Sequence, residues 1–322
     1  MDPKKLSLRL KPRGKTTGRE SAEDRQLAPM MRALKAIHSV GTPDSMNPED
    51  LAKQRAAQEV LGRLVAPMIV MKKWETFHLK EMACAWVKPD WPHDKRRVIL
   101  YCHGGGYTSG NLGYSRPLAS KLTNATGWET LCFEYRLAPE HPFPAAVDDA
   151  RRAWDLFDVF GVWRPGCGGS GDSAGGNLAL VLCHQLKAGG ASTAWPSRID
   201  VPLDGYDRQR ALLYSTGCDG SYDYPGLHPR GARGVCRRKR VDLSVAFPAL
   251  WGLPGVPTDF VQVGSNEILY SDSLRLRERM QAAGVHCQLE VWEDMWHVFQ
   301  MFPIRKAALA MEHIGQFLLD SI

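Results

Sequence analysis

Apolar positions recur along this chain in two alternating registers. Leu27, Met30, Met31, Leu34 and Ile37 fall three and four apart, the spacing of one helix face, and Gly41 ends the run. Asn47 followed by Pro48 marks a second helix, an N-cap and then a proline at the first helical position. Ala57, Val60, Leu61, Leu64 and Val65 carry it to a stop near Pro67. The texture then changes. Residues 74–79 and 82–87 read as strands able to pair, and 97–102 and 130–135 are short apolar runs. Helical texture returns over 145–160 and over 177–187, where Gly189 and Gly190 close it. A strand over 258–263, a helix over 271–283 closed by Gly284, an alternating strand over 287–292 and a helix over 304–319 complete the pattern. Strands alternating with helices predict an α/β fold, with a mostly parallel central sheet flanked by helices.

Two stretches break this pattern. Arg164-Pro165-Gly166-Cys167-Gly168-Gly169-Ser170 is a poor candidate for a central strand, because proline cannot donate to a ladder and glycine packs nothing. Residues 191–255 are rich in Gly, Pro and Arg, with weak periodicity. Within them, Arg230, Arg233, Arg237, Arg238, Lys239 and Arg240 form a basic cluster. No aromatic interleaving accompanies it, so it reads as an exposed loop rather than a nucleic-acid surface. Both stretches begin and end abruptly between regular blocks, the pattern that compensating frameshifts would leave.

Composition changes the picture little. A 322-residue chain with 44% hydrophobic and 24% charged residues is ordinary for one large globular domain. Its net charge of +6 is modest, and the basic N-terminal arm (Lys4, Lys5, Arg9, Lys11, Arg13, Lys15) reads as a solvated terminus. The eight cysteines show neither CxxC pairs nor metal-ligand spacing, and Cys102, Cys132 and Cys183 sit inside apolar runs. No signal peptide and no membrane-spanning run is expected, which suits a reduced, cytoplasmic setting.

The chemistry concentrates in three places. Gly171-Asp172-Ser173-Ala174-Gly175 is a G-x-S-x-G element, the sequence form of a nucleophile elbow. Flanking glycines relieve the crowding of such a turn, and the helix that follows aims its N-terminal amides at the serine. His103-Gly104-Gly105-Gly106-Tyr107 follows a strand directly, and such a loop offers backbone N–H groups to an oxyanion. The expected donors are the amides of Gly105, Gly106 and Ala174. His297 stands just after the last strand, where a general base can reach the sheet edge. Glu267, in the turn after strand 258–263, is the expected carboxylate partner of the imidazole. Asp272 is the expected helix-terminal charge and the second candidate for that partner.

These blocks resemble the bacterial hormone-sensitive-lipase-like esterases of the α/β-hydrolase superfamily. The resemblance rests on His103–Tyr107, on the run Glu134-Tyr135-Arg136-Leu137-Ala138-Pro139-Glu140-His141-Pro142-Phe143-Pro144-Ala145-Ala146, on Gly171–Gly176 and on Trp292–Phe299. It covers most of 70–190 and 256–322. It implies that the acid stands thirty positions before His297, on Glu267, where many members carry Asp. It also implies a helical N-terminal cap over residues 1–66 and a catalytic domain over 67–322, with a second cap segment within 191–255. The implied activity is hydrolysis of short-chain acyl esters without cofactor or metal. His103, Gly104, Tyr107 and Asp172 are expected to support the motifs.

The implied partner is a small-molecule ester, with neither nucleic acid nor stable membrane insertion; a homodimer stays open. Three other readings stand beside this one: amide or acetyl hydrolysis on the same triad, a non-catalytic binding protein on the scaffold, and a folding-impaired chain.

Overall fold

The computed structural model describes residues 47–68, 73–162, 167–188, 197–199, 259–267 and 269–320. The helix expected over Leu27–Ile37, the basic arm, the arginine cluster and nearly all of 191–255 lie outside the described residues.

The first described element is helix α1, Pro48–Val65. Asn47 caps it, its side-chain oxygen accepting from the Asp50 amide at 2.8 Å, and Glu49 and Asp50 place negative charge in the first turn, where the helix dipole favours it. Its buried face, including Leu51, Leu61 and Val65, packs on α2, Leu112–Thr126. The two helices cross closely at Gly62, where a Cβ would stand 2.6 Å from the Gly113 carbonyl oxygen.

Helix α2 was not expected from the apolar pattern. Its buried face mixes Tyr114, Leu118 and Leu122 with Ser115, Ser120 and Thr123, so the helical stripe is faint, and Pro117 stands inside it. Several of its hydroxyls find local partners. Ser115 Oγ donates to the Asn111 carbonyl (2.9 Å), and Thr123 Oγ1 meets Thr130 Oγ1 on the adjoining strand (2.9 Å). Asn111 caps the start and Gly127, at φ +71°, ends the helix in the left-handed conformation.

The sheet has eight described strands. They are β1 (Lys73–Leu79), β2 (Met82–Lys88), β3 (Val98–Cys102), β4 (Glu129–Phe133), β5 (Cys167–Gly171), β6 (Ser197–Ile199), β7 (Asp259–Gly264) and β8 (Cys287–Trp292). Their order is β1-β2-β4-β3-β5-β6-β7-β8. β1 and β2 form the expected hairpin, β2 runs antiparallel to β4, and every remaining pair is parallel. The other described α-helices are α3 (Ala145–Val159), α4 (Ala174–Ala188), α5 (Tyr270–Ala282) and α6 (Arg305–Asp320). The expected α/β architecture is therefore present.

The sequence that argued against a central strand forms one. β5 is buried at all five positions and pairs in parallel with β3 on one side and β6 on the other. A ladder recruits backbone N–H and C=O groups, which glycine supplies as well as valine does. The Pro165 and Gly166 that weakened the reading precede the strand. β6 is a second correction, a three-residue strand in a stretch with no apolar run, held between the ladders of β5 and β7.

The six described cysteines are buried, in keeping with the reading of Cys102, Cys132 and Cys183 as small hydrophobes, and burial pushes the Cys84 thiol up to about 12. Among the described residues no helix is long and apolar enough to cross a membrane.

Helix α6 packs on α2 through Gly315, where a Cβ would lie 2.5 Å from the Ala125 carbonyl oxygen. Gly315→Ala sets a propensity gain of about 1 kcal/mol against an overpacking cost of about 1–3 kcal/mol. The obstacle is backbone and cannot swing aside, so overpacking wins. We expect a net loss of about 1–2 kcal/mol in urea unfolding.

Candidate active site

The site assembles at the carboxyl ends of the parallel strands β3, β5, β7 and β8. β5 ends at Gly171 and α4 begins at Ala174, so the chain reverses over two residues. Ser173 takes φ +52°, a left-handed conformation that costs a non-glycine residue about 1–3 kcal/mol. The reversal needs glycine on both sides. A Cβ on Gly171 would stand 2.3 Å from the Gly175 carbonyl, and one on Gly175 would stand 2.0 Å from the Cys102 carbonyl oxygen.

Asp172 holds this turn to the loop after β3. Its buried carboxylate accepts from the Tyr101 hydroxyl, the Tyr114 hydroxyl (2.8 Å) and the Gly104 amide (2.9 Å). Burial first, and the Asp172 charge second, push the Tyr114 phenol well above its ordinary value, so it remains a donor. A Cβ on Gly104 would fall 2.3 Å from the Asp172 carboxylate, which excludes any side chain there.

The glycine loop that follows is strained and tightly closed. Gly105 and Gly106 sit at φ +115° and +63°, and Tyr107 at +63°. The Gly105 carbonyl accepts from the Thr108 and Ser109 amides at 3.1 and 3.0 Å. Among the described residues the amides of Gly105, Gly106 and Ala174 donate to no protein acceptor. His103 is buried, stacks on Tyr135 at 4.1 Å between ring centroids, and donates from Nδ1 to the Gly104 carbonyl at 2.8 Å. Burial pulls its pKa down to about 4, so it is neutral near pH 7. Tyr107 donates to Asn177 Oδ1 on α4 (2.7 Å) and borders an apolar recess with Phe143, Ala146, Val147 and Val181.

The run 134–146 braces this loop. Arg136 makes a bidentate pair with buried Asp149 on α3, at 2.8 and 2.9 Å. The Tyr135 hydroxyl donates to the His103 carbonyl at 2.7 Å. Arg55 on α1 donates to the Thr108 carbonyl (2.8 Å) and pairs with Glu140 (2.7 Å).

Glu267 and His297 come from two loops laced together. Ser265 N donates to Trp292 O (3.0 Å), Asn266 N to Met295 O (2.9 Å) and Asp294 N to Ser265 Oγ (2.9 Å). The loops touch so closely that a Cβ on Gly264 would meet the Met295 carbonyl oxygen at 2.3 Å. Glu267 accepts from the Gly264 amide with one oxygen (2.7 Å) and bonds His297 Nδ1 with the other (2.6 Å). His297 Nε2 then lies 3.0 Å from Ser173 Oγ. The Glu267 side chain is 1% exposed and that of His297 23%, so the carboxylate is sealed while the ring borders solvent. Asp272, the other acidic candidate, lies in the first turn of α5 and pairs with Arg275. Among the described residues no cluster of His, Cys, Asp and Glu could hold a metal ion.

A family model for the alpha/beta hydrolase fold matches residues 99–301. The acetyl-hydrolase of Streptomyces hygroscopicus is 30% identical over 284 residues, 85% of this chain and 89% of that protein. An esterase of Acinetobacter venetianus is 32% identical over 225 residues, 66% of this chain and 72% of that one. Among solved structures, an esterase from the bacterial hormone-sensitive lipase family matches with a TM-score of 0.72 at 26% identity, over 92% of this chain and 98% of that chain. A hormone-sensitive lipase from a metagenome library matches at 0.70 and 27%, over 90% and 97%. The chain belongs to the alpha/beta hydrolase fold family, and within it to the hormone-sensitive-lipase-like branch that its motifs resemble.

Two outcomes test the scaffold of the site. Asp172→Ala strands two tyrosine hydroxyls and one amide, and we expect a loss of about 3 kcal/mol or more in urea unfolding. His103 is neutral when folded down to about pH 4, whereas the unfolded chain takes up its proton near 6.5. Its contribution to stability is therefore complete above pH 6.5 and falls between 6.5 and about 4. His103→Gln should flatten part of the stability-against-pH curve in that window.

Proposed function

We propose that this carboxylic ester hydrolase cleaves short-chain acyl esters through an acyl-enzyme on Ser173. The observation that carries the reading is the unbroken chain of hydrogen bonds from Glu267 through His297 to Ser173. A nucleophile, a base within reach of its proton and a third group orienting the base are what activation of a hydroxyl requires.

In this reading Ser173 Oγ attacks the ester carbonyl while His297 Nε2 takes its proton. Glu267 keeps the proton on Nδ1, so that Nε2 is the free base, and its charge stabilises the imidazolium that forms. The amides of Gly105, Gly106 and Ala174 receive the oxyanion, each such donor contributing about 3–4 kcal/mol. Among the described residues these amides donate to no protein acceptor, which suits that role, since nothing must be displaced. His297 then returns the proton to the departing alkoxide. Water then attacks the acyl carbon as His297 takes its proton, the bond between Ser173 Oγ and the acyl group breaks, His297 returns the proton to Ser173, and the acid leaves. His297 moves every proton in the cycle, so the chemistry calls for no cofactor. The acetyl-hydrolase among the relatives adds acetyl esters to the substrates worth assaying.

The test is hydrolysis of p-nitrophenyl butyrate. Ser173→Ala and Glu267→Gln should each lower kcat by about 10⁴-fold, with melting curves like that of the parent. Wild-type turnover in Ser173→Ala would overturn the reading. Wild-type turnover in Glu267→Gln would transfer the acid role away from Glu267.

A further inference from the structure

The turn that carries His297 is strained immediately after the histidine. Val298 sits at φ +53° and ψ +37°, and a β-branched residue is an outlier there. Phe299–Met301 follows as one 3₁₀ turn, closed by Met301 N to Val298 O (3.1 Å) and Phe302 N to Phe299 O (3.0 Å). Conformations of this kind persist only where the surroundings over-determine them.

The surroundings here are Lys121 and Gln262. Lys121, on α2, reaches across to donate to the Gln300 carbonyl at 2.6 Å and to the Phe302 carbonyl at 2.7 Å. The two carbonyls bracket the end of the 3₁₀ turn. The Gln300 side chain donates to Gln262 Oε1 on β7 at 3.3 Å, and Gln262 is itself fixed by donating to Glu290 (2.9 Å) and to the Ala310 carbonyl (3.0 Å).

An ammonium is a costly choice for packing alone. Lys121 is half-buried, burial pushes its pKa down to about 7, and among the described residues no carboxylate pairs with it. Methionine would fill similar space with no charge to desolvate. What methionine cannot do is donate to two backbone carbonyls at once. The amine does so in either protonation state, because two N–H groups remain after the third proton leaves.

We infer that Lys121 is a positioning residue for the hydrolytic reaction: it clamps the carbonyls of Gln300 and Phe302, holds the strained turn at Val298, and so keeps His297 at hydrogen-bond distance from Ser173. The inference rests on the reading of His297 as the general base. Its effect falls on proton transfer in the transition state, not on substrate binding, so it belongs in kcat. A displacement of the base by about 1 Å lowers rates by as much as about 100-fold.

The experiment measures kcat and KM for p-nitrophenyl butyrate in the full chain, in Lys121→Met, Lys121→Arg and Lys121→Gln, with Ser173→Ala alongside and a melting curve for each. Lys121→Met is expected to lower kcat by about 10–100-fold while KM stays within about twofold. Lys121→Arg, which keeps several donors, is expected to recover most of kcat, and Lys121→Gln, with one amide group, to fall between. Should Lys121→Met not fold, the ranking of the Arg and Gln variants carries the test. The inference is overturned if Ser173→Ala is inactive while Lys121→Met or Lys121→Gln retains parental kcat, or if Arg restores no more than the others at equal melting temperature. Activity retained in Ser173→Ala would overturn the reading of the site itself, and this inference with it.

Discussion

The structure of the site depends on a carboxylate that does no chemistry. Asp172 is buried beside Ser173, where an unpaired charge would be expensive, and the chain surrounds it with donors from three directions. Tyr101 comes from β3, Gly104 from the loop that β3 feeds, and Tyr114 from α2. Each donor is thereby fixed relative to the elbow. Two loops that are distant in sequence become one rigid object because they share an anion neither can leave uncompensated. The strain at Ser173 and the open conformations of Gly105 and Gly106 are sustained by that arrangement.

The opposite wall is built differently. Glu267 and His297 stand on the loops that follow two neighbouring parallel strands, β7 and β8, and the backbone laces those loops together before either side chain is considered. Glu267 needs little reach, because the Gly264 amide pins one of its oxygens and leaves the other pointed at the imidazole. One wall is organised by a buried charge and the other by backbone bonds. They meet where His297 Nε2 lies 3.0 Å from Ser173 Oγ.

Legibility in the sequence followed the kind of force involved. The hairpin β1–β2, the strand β3 and helices α1, α3, α5 and α6 were readable because side-chain burial writes a periodic pattern. Helix α2 was not, because small hydroxyl residues satisfied by local bonds occupy much of its buried face. β5 and β6 were misread for a related reason: their neighbours' ladders hold them in place, and a ladder leaves no signature in residue type. The elbow around Ser173 and the loop after β3 were marked by steric necessity, since glycine is the only residue that fits at 104, 171 and 175, whereas Glu267 and His297 were marked only by their places after strands β7 and β8. Lys121 carried no such mark. Its partners are carbonyls some 180 positions away, and nothing around residue 121 announces them.

The buried cysteines give the fold an internal reporter. Cys84, Cys102, Cys132, Cys167, Cys183 and Cys287 are all buried, spread over five strands and one helix. For those whose titration is displaced, Cys84, Cys102 and Cys132, burial drives it upward, away from the reactive thiolate. A thiol reagent therefore meets these sulfurs only when the sheet opens. The rate at which they are modified, site by site, reads out how often each strand separates from its neighbours while the molecule as a whole remains native.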